Sequence, residues 1–165
     1  MSRILLSTSL LLLALTGCSK ELNQTEAALS ARTKLELTTF KSASCGCCGQ
    51  WVAHARASDF VVDARNVDDL NAVKNRHHID PRLQSCHTSV SRDGYVFEGH
   101  VPAKLIRRFL QNPPAGARGL AVPAMPLGSP GMEVGERFTP YNVMLLHSDG
   151  SDSVYARIDS IEQQH

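Results

Sequence analysis

Three cysteines lie within four residues of this 165-residue chain, at Cys45, Cys47 and Cys48, with Gly46 and Gly49 beside them. Adjacent cysteines rarely form a disulfide with each other, because the small ring that results is strained. Several thiolates in one small volume bind soft metal ions or perform thiol–disulfide exchange. The loop is therefore a candidate metal or redox site rather than a structural crosslink.

Two further cysteines are present, Cys18 and Cys86, and His87 follows Cys86 directly. Neutral imidazole is the commonest metal ligand in proteins, so His87 is a candidate ligand as well. A zinc finger needs two separated ligand pairs, whereas Cu(I) accepts two or three sulfurs from one cluster, so Cu(I) is the favoured metal. The alternative is a pair of structural disulfides, for instance between the loop and Cys86.

Three other residues are weaker candidates for metal ligands. His100 precedes a predicted helix and is either a ligand or a residue that caps that helix. Met125 and Met132 lie on a segment rich in glycine and proline. Thioether sulfur binds Cu(I), although methionine more often fills gaps in a protein core.

The amino terminus resembles a bacterial lipoprotein signal. Arg3 precedes an apolar segment, Ile4 to Leu15, which is too short for a mature membrane-spanning helix. We expect cleavage after residue 17 and lipidation of Cys18, with Ser19 favouring the outer membrane. The alternative is an ordinary secretory signal. In either case the domain functions outside the cytosol, in the periplasm, where disulfides persist.

The rest of the chain predicts one domain over residues 34–158, after a signal peptide (1–17) and a tether that begins with the lipidated cysteine (18–33). Residues 159–165 are predicted to be a short tail, and residues 116–139 to be an ordered loop rich in glycine and proline. The hydrophobic patterns predict these elements: a strand over 34–40, a helix over 50–57, a strand over 60–67, a helix over 69–77 capped by Asp68, a hairpin of 88–91 and 95–98, a helix over 103–111, and a closing hairpin of 141–146 and 153–158.

This order, βαβα-ββα, is that of an α/β thioredoxin-like fold, here followed by the Gly/Pro-rich loop and the hairpin. In that fold the first helix begins beside the cysteine loop, and the segment before the third strand lies against it. Cys86 and His87 are therefore expected beside the three cysteines. Trp51 is expected to pack the first helix against the sheet.

Composition excludes nucleic acid as a partner. The formal net charge is +1, from 17 basic and 16 acidic residues, and only 5% of the residues are aromatic. A nucleic-acid-binding surface needs clustered positive charge or aromatic stacking platforms, and this chain has neither in its sequence.

Four motifs, in this order, resemble the CopG family of small periplasmic proteins of bacterial copper resistance. The resemblance spans residues 35–146, which is nearly all of the predicted domain. The motifs are Cys45 to Trp51, Ser85 to Thr88, Glu98 to Pro102, and Gly119 to Glu133.

This resemblance implies a thioredoxin-like domain that binds copper rather than cycling a substrate disulfide. It also implies a change of copper between its two oxidation states as a further role. The thiolates that the resemblance assigns to a small, multinuclear Cu(I) cluster are Cys45, Cys47, Cys48 and Cys86. The other residues at motif positions are His87, His100, Met125 and Met132.

The favoured hypothesis is thus a lipid-anchored periplasmic protein that holds Cu(I) through thiolates from two loops. Its implied partners are copper ions, a membrane, and periplasmic copper chaperones or efflux components. The rival hypothesis is a thiol–disulfide oxidoreductase, with Cys45 or Cys47 as nucleophile and Cys48 or Cys86 as resolving thiol. A third is a disulfide-stapled surface lipoprotein with no chemistry of its own.

Overall fold

A seven-stranded mixed sheet and three α-helices form the computed structural model, which describes residues 35–165. The predicted signal peptide, Cys18 and the tether lie outside these residues. The strands are β1 (Glu36–Lys41), β2 (Val61–Asn66), β3 (His87–Ser91), β4 (Val96–Glu98), β5 (Ala117–Ala121), β6 (Tyr141–His147) and β7 (Asp152–Ile158). The helices are α1 (Gly46–Ala57), α2 (Leu70–Arg76) and α3 (Ala103–Gln111), and 3₁₀ turns cover Pro81–Leu83 and Ile161–Gln164.

In the sheet order β2-β1-β3-β4-β5-β6-β7, strands β1 and β3 are neighbours, and the two cysteine-bearing segments lie at the same end of these strands. Strand β1 runs parallel to β2 and antiparallel to β3, and Lys41 at the end of β1 pairs with His87 at the start of β3. The loop that follows β1 and the residues that precede β3 must therefore meet. This pairing confirms that distant parts of the sequence come together at one site.

Several predicted elements are confirmed. The β3–β4 hairpin and the β6–β7 hairpin form as antiparallel pairs, and helix α3 covers the predicted residues 103–111. The α/β class is confirmed as well, but the sheet has one strand more than the predicted elements supply.

That additional strand corrects the prediction of a continuous loop over residues 116–139. Strand β5 occupies Ala117–Ala121 and pairs in parallel with β4, so that Gly119 lies opposite Val96. A Cβ atom on Gly119 would lie 1.8 Å from the Val96 carbonyl oxygen, and the φ angle of Gly119 is +154°. The glycine that signals a loop in the sequence is here the residue that lets the two strands approach each other.

Two helix starts also differ from the prediction. Helix α1 begins at Gly46 rather than near residue 50, and Cys45 is its N-cap, with its sulfur accepting from the Cys48 N–H. Cysteine is not among the usual N-cap residues, so the pattern gave no signal for this start. Helix α2 is capped by Asp69, whose carboxylate accepts from the Ala72 N–H at 2.9 Å, and not by Asp68.

The main core lies between the sheet and helices α1 and α3. Trp51 is fully buried and donates its indole N–H to the Val101 carbonyl at 3.0 Å, so it fastens α1 to the segment before α3. Phe97 and Phe109 pack edge to face in the same core. In the described part of the chain, none of the helices combines the length and apolar character needed to cross a bilayer.

The last residues of the chain pack onto this domain. Gln164 is buried, accepts from the Tyr141 hydroxyl at 2.5 Å and donates to the Gly128 carbonyl at 2.9 Å. These two bonds join the end of the chain to β6 and to the loop after β5. Residues 161–164 are thus a 3₁₀ turn that closes one side of the domain.

The close approach of β5 to β4 predicts a large effect of a single methyl group. Replacing Gly119→Ala should lower the free energy of unfolding by about 3 kcal/mol or more, because the Cβ atom collides with rigid strand backbone. Urea unfolding followed by circular dichroism measures this. Gly150→Ala is the matched control, since Gly150 also has a positive φ but open space around it, and it should cost only about 1–2 kcal/mol. Equal losses for both variants would contradict the packing explanation.

Candidate metal centre

Four cysteines converge where β1, α1 and β3 meet. Cys45, Cys47 and Cys48 lie at the amino end of α1, and Cys86 directly precedes β3. Their sulfur atoms all lie within 4.8 Å of one another, and the Cys47 and Cys86 sulfurs are 3.9 Å apart. The structure therefore brings together the four sulfurs that the sequence nominates.

Two of the four sulfurs are bonded to each other. Cys45 and Cys48 form a disulfide, while Cys47 and Cys86 are not in a disulfide. Both cysteines of this disulfide lie in the loop at the start of α1. The sequence analysis named a disulfide between this loop and Cys86 as the structural alternative, and that disulfide does not form. A set of four thiolates consequently exists only after this disulfide has been reduced.

Two imidazoles lie against Cys86. Its sulfur is 3.0 Å from Nε2 of His100 and 3.3 Å from Nδ1 of His87. The Nδ1 atom of His100 lies 2.8 Å from the Pro130 carbonyl oxygen. A carbonyl only accepts hydrogen bonds, so Nδ1 of His100 carries the proton and its Nε2 presents a lone pair to Cys86.

Burial keeps both imidazoles neutral. It lowers the pKa of His87 well below its ordinary value, and the neighbouring His100, Lys74 and Lys41 act in the same direction. It also lowers the pKa of His100, although the bond to Pro130 opposes this. Neutral imidazole is the form that binds metal ions.

His87 has an unusual environment. Its ring is fully buried, 4.5 Å from the Trp51 ring and 5.1 Å from the His100 ring, and its Nε2 atom has no hydrogen-bond partner. An unsatisfied buried polar atom costs about 1–3 kcal/mol. The rest of the domain must offset this cost, which is characteristic of functional sites.

Cys86 is a thiol rather than a thiolate in the absence of metal. Burial raises the pKa of Cys86 to about 12, and the nearby Cys47 sulfur adds to the increase. A cation that binds this sulfur must therefore displace its proton.

The loop after β5 covers the site. Gly131 has a φ of +86°, and a Cβ atom there would lie 2.6 Å from the Trp51 backbone nitrogen and 2.8 Å from the Cys47 carbonyl. This contact brings the Pro130 carbonyl to His100. Met132 is half-buried, whereas Met125 exposes 49% of its surface. Metal ligation by either methionine stays a prediction.

A buried ion pair that the sequence analysis missed holds the Cys86 segment. The Glu98 carboxylate is fully buried and accepts from Lys74, from the Ser85 N–H at 2.6 Å and from the Thr88 hydroxyl at 2.6 Å. Ser85 and Thr88 flank Cys86 and His87, so this carboxylate determines where they lie. In the sequence, the one signal of this hydrogen-bond network is that the charged residue Glu98 belongs to an otherwise apolar strand.

These features define a mixed α/β protein with a thiol and imidazole centre able to hold a metal ion. Two solved structures of "Copper resistance protein copG", forms 1 and 2, are similar to it at 42% and 41% sequence identity, each with a TM-score of 0.71. The similarity covers 76% and 74% of this chain and 98% and 97% of those chains. Residues 83–132 match a family described as "Protein of unknown function, DUF411". No curated protein matches this chain.

The chain therefore belongs to the CopG copper resistance protein family, as its motifs predicted. The matched segment 83–132 contains Cys86, His87 and His100 but not the three-cysteine loop.

The buried ion pair predicts a pH-dependent loss of stability in Lys74→Met. Without Lys74, the Glu98 carboxylate is buried with no countercharge, so the free energy of unfolding should fall by about 3–5 kcal/mol at about pH 8. Burial raises the pKa of Glu98, and a group with a raised folded-state pKa favours folding at low pH and opposes it as pH rises. The difference in the free energy of unfolding between the variant and the wild type should therefore become smaller towards about pH 5.

The control for this experiment is the double variant Lys74→Met/Glu98→Gln, which removes both charges and should be more stable than the single variant at pH 8. Urea unfolding at several pH values measures all three proteins. A pH-independent deficit, equal in the single and double variants, would show that lost packing and not charge explains the effect.

Proposed function

We propose that this protein binds Cu(I) through cysteine thiolates from two loops and so lowers the concentration of free copper outside the cytosol. The observation that carries this proposal is the convergence of four cysteine sulfurs within 4.8 Å. Thiolates select Cu(I) among the ions of copper. The similar solved structures are titled copper resistance proteins, which supports copper rather than zinc as the cargo.

Each part of the site has a role in this proposal. The amino end of α1 favours negative charge and would stabilise the thiolates of Cys45, Cys47 and Cys48. Cys86 would complete the set from the second loop. Adjacent thiolates can bridge ions, so the site suits a small cluster rather than a single Cu(I). His87, His100 and Met132 surround these sulfurs as further candidate ligands.

The Cys45–Cys48 disulfide connects copper binding to redox chemistry. A dithiol reductant would supply two electrons and two protons to open the disulfide and produce the full set of thiols. In the reverse direction, the two thiols would reduce two Cu²⁺ to two Cu⁺, form the disulfide and release two protons. We include this change of copper oxidation state in the proposal.

The proposed location is the periplasm, with the protein anchored through lipidated Cys18, most simply to the outer membrane. Copper chaperones or efflux components would then deliver or accept the ion. We also propose that β1 to β4 with α1 to α3 form a thioredoxin-like unit to which β5 to β7 are added. The parallel β1–β2 pair and the antiparallel β1–β3 pair support this interpretation.

The two-loop site predicts that Cys86→Ser loses most of the tightly bound Cu(I), since it removes the one sulfur outside the α1 loop. Anaerobic titration of the reduced protein against a competing Cu(I) chelator measures the stoichiometry. Val154→Ser is the matched control and should bind as the wild type does, because Val154 is exposed on β7 and belongs to neither loop of the site. Full stoichiometry in Cys86→Ser would refute a site built from two loops.

A second candidate function is thiol–disulfide exchange, and the Cys45–Cys48 disulfide favours it. These cysteines have the C-x-x-C spacing and lie at a helix amino terminus, where reactive cysteines are found. Cys45 would attack a substrate disulfide and Cys48 would resolve the mixed disulfide. Cys47 has no role in this two-residue cycle.

Cys47→Ser therefore discriminates between the two functions. Under the copper hypothesis it should reduce Cu(I) stoichiometry, because one of four thiolates is lost. Under the exchange hypothesis it should retain turnover of a disulfide substrate, whereas Cys45→Ser abolishes it. Disulfide reductase assays in the presence of a copper chelator, alongside Cu(I) titration, give both readouts. Turnover that survives chelation and Cys47→Ser would establish exchange as the function.

A further inference from the structure

A second group of potential ligands lies beside the four sulfurs and is independent of the disulfide. One ligand atom from each of Cys86, His87 and His100 falls within 4.8 Å of the others. None of these three residues takes part in the Cys45–Cys48 bond. The group therefore exists while half of the cysteine cluster is oxidised.

His100 is preorganised as a ligand. Its Nδ1–H donates to the Pro130 carbonyl at 2.8 Å, and its Nε2 lone pair points at the Cys86 sulfur, 3.0 Å away. Metal-bound histidines commonly donate the other ring N–H to a backbone carbonyl, which fixes both tautomer and ring orientation. The tight packing of Gly131 against α1 holds Pro130 in place for this purpose.

His87 provides a second, independent observation. Its ring is buried between Trp51 and His100, it contacts the Cys86 sulfur through Nδ1 at 3.3 Å, and its Nε2 has no partner. A leucine would fill such a site without an unsatisfied polar atom. Nδ1 is the ring atom that faces the Cys86 sulfur, so it is the atom through which His87 would bind an ion at this site.

We propose that Cys86, His87 and His100 form a mononuclear site for a divalent cation such as Cu²⁺ or Zn²⁺, available while the Cys45–Cys48 disulfide is closed. This inference rests on the proposed metal-binding function of the same centre. Two imidazoles and one thiolate suit these borderline divalent ions, whereas a set of four thiolates suits Cu(I). Because Cys86 belongs to both ligand sets, the redox state of Cys45 and Cys48 selects which set can form.

Co²⁺ is the probe for the first test, because it does not oxidise thiols and a thiolate ligand gives it a charge-transfer absorption band. Titration of the protein with its disulfide closed should show one Co²⁺ per chain with this band. His100→Gln removes a ligand and should weaken binding by about 100-fold or more, since losing only a residue that orients a ligand already costs about 10- to 100-fold. The double variant Cys45→Ser/Cys48→Ser is the matched control and should bind Co²⁺ as the wild type does. Co²⁺ binding that appears only after reduction, and that the double variant loses, would overturn the proposal.

A second measurement on the wild type does not depend on whether a variant folds. At a pH where Cys86 of the metal-free disulfide form reacts with N-ethylmaleimide, one equivalent of Zn²⁺ should slow its alkylation. Alkylation of Cys47 should be unchanged, as peptide mass spectrometry would show. Protection of both thiols, or of neither, would refute the three-residue site.

The inference and the proposed function fail in different ways. If the reduced wild type does not take up Cu(I) but the disulfide form binds Co²⁺, only the Cu(I) proposal is refuted. If Cu(I) is bound and Co²⁺ is not, only the divalent site is refuted.

Discussion

The buried carboxylate of Glu98 is the interaction on which the metal centre depends. It accepts hydrogen bonds from Ser85 and Thr88, the residues on either side of Cys86 and His87, and its charge is balanced by Lys74. A buried carboxylate bound in this way tolerates little displacement, because each lost bond leaves a desolvated charge. Its rigidity is transmitted to Cys86, which contacts both the cysteine loop and the two imidazoles. The Lys74–Glu98 pair therefore determines the geometry of the metal centre through the residues that flank Cys86 and His87.

Cys86 contacts both the cysteine loop and the two imidazoles of the site. It lies 3.9 Å from the Cys47 sulfur on one side and 3.0 Å from His100 on the other. Its burial raises the pKa of its thiol to about 12, so an ion that binds this sulfur must displace its proton. The disulfide at Cys45 and Cys48 removes two of the neighbouring sulfurs and leaves the imidazoles unchanged. The same centre therefore offers a sulfur-rich or a nitrogen-rich environment, according to the oxidation state of one bond.

Much of the fold was predictable, because its signals are local. The helix over 103–111 has a regular apolar face, and the two antiparallel hairpins have turns rich in glycine and aspartate. Strand β5 was not predictable: Gly119 reads locally as a loop residue, and its function in the close β4–β5 contact exists only in the folded sheet. The start of α1 was missed for a related reason. A cysteine serves as its N-cap, and pattern rules for helix starts rest on the commoner oxygen caps.

The residue types in the sequence establish the chemical nature of the centre: four cysteines outside the signal segment, two of them adjacent, and histidines at 87 and 100 in motifs of a copper resistance family. Those residue types restrict the chemistry to soft metals or disulfide exchange, whatever the fold. Which of these residues share a site depends on the folded chain. It brought Cys86 to the α1 loop through the Lys41–His87 pairing, oriented His100 through the Pro130 carbonyl, left Met125 exposed and joined Cys45 to Cys48. Distances, tautomers and disulfide partners depend on contacts between segments far apart in the chain, and no local pattern of residues encodes them.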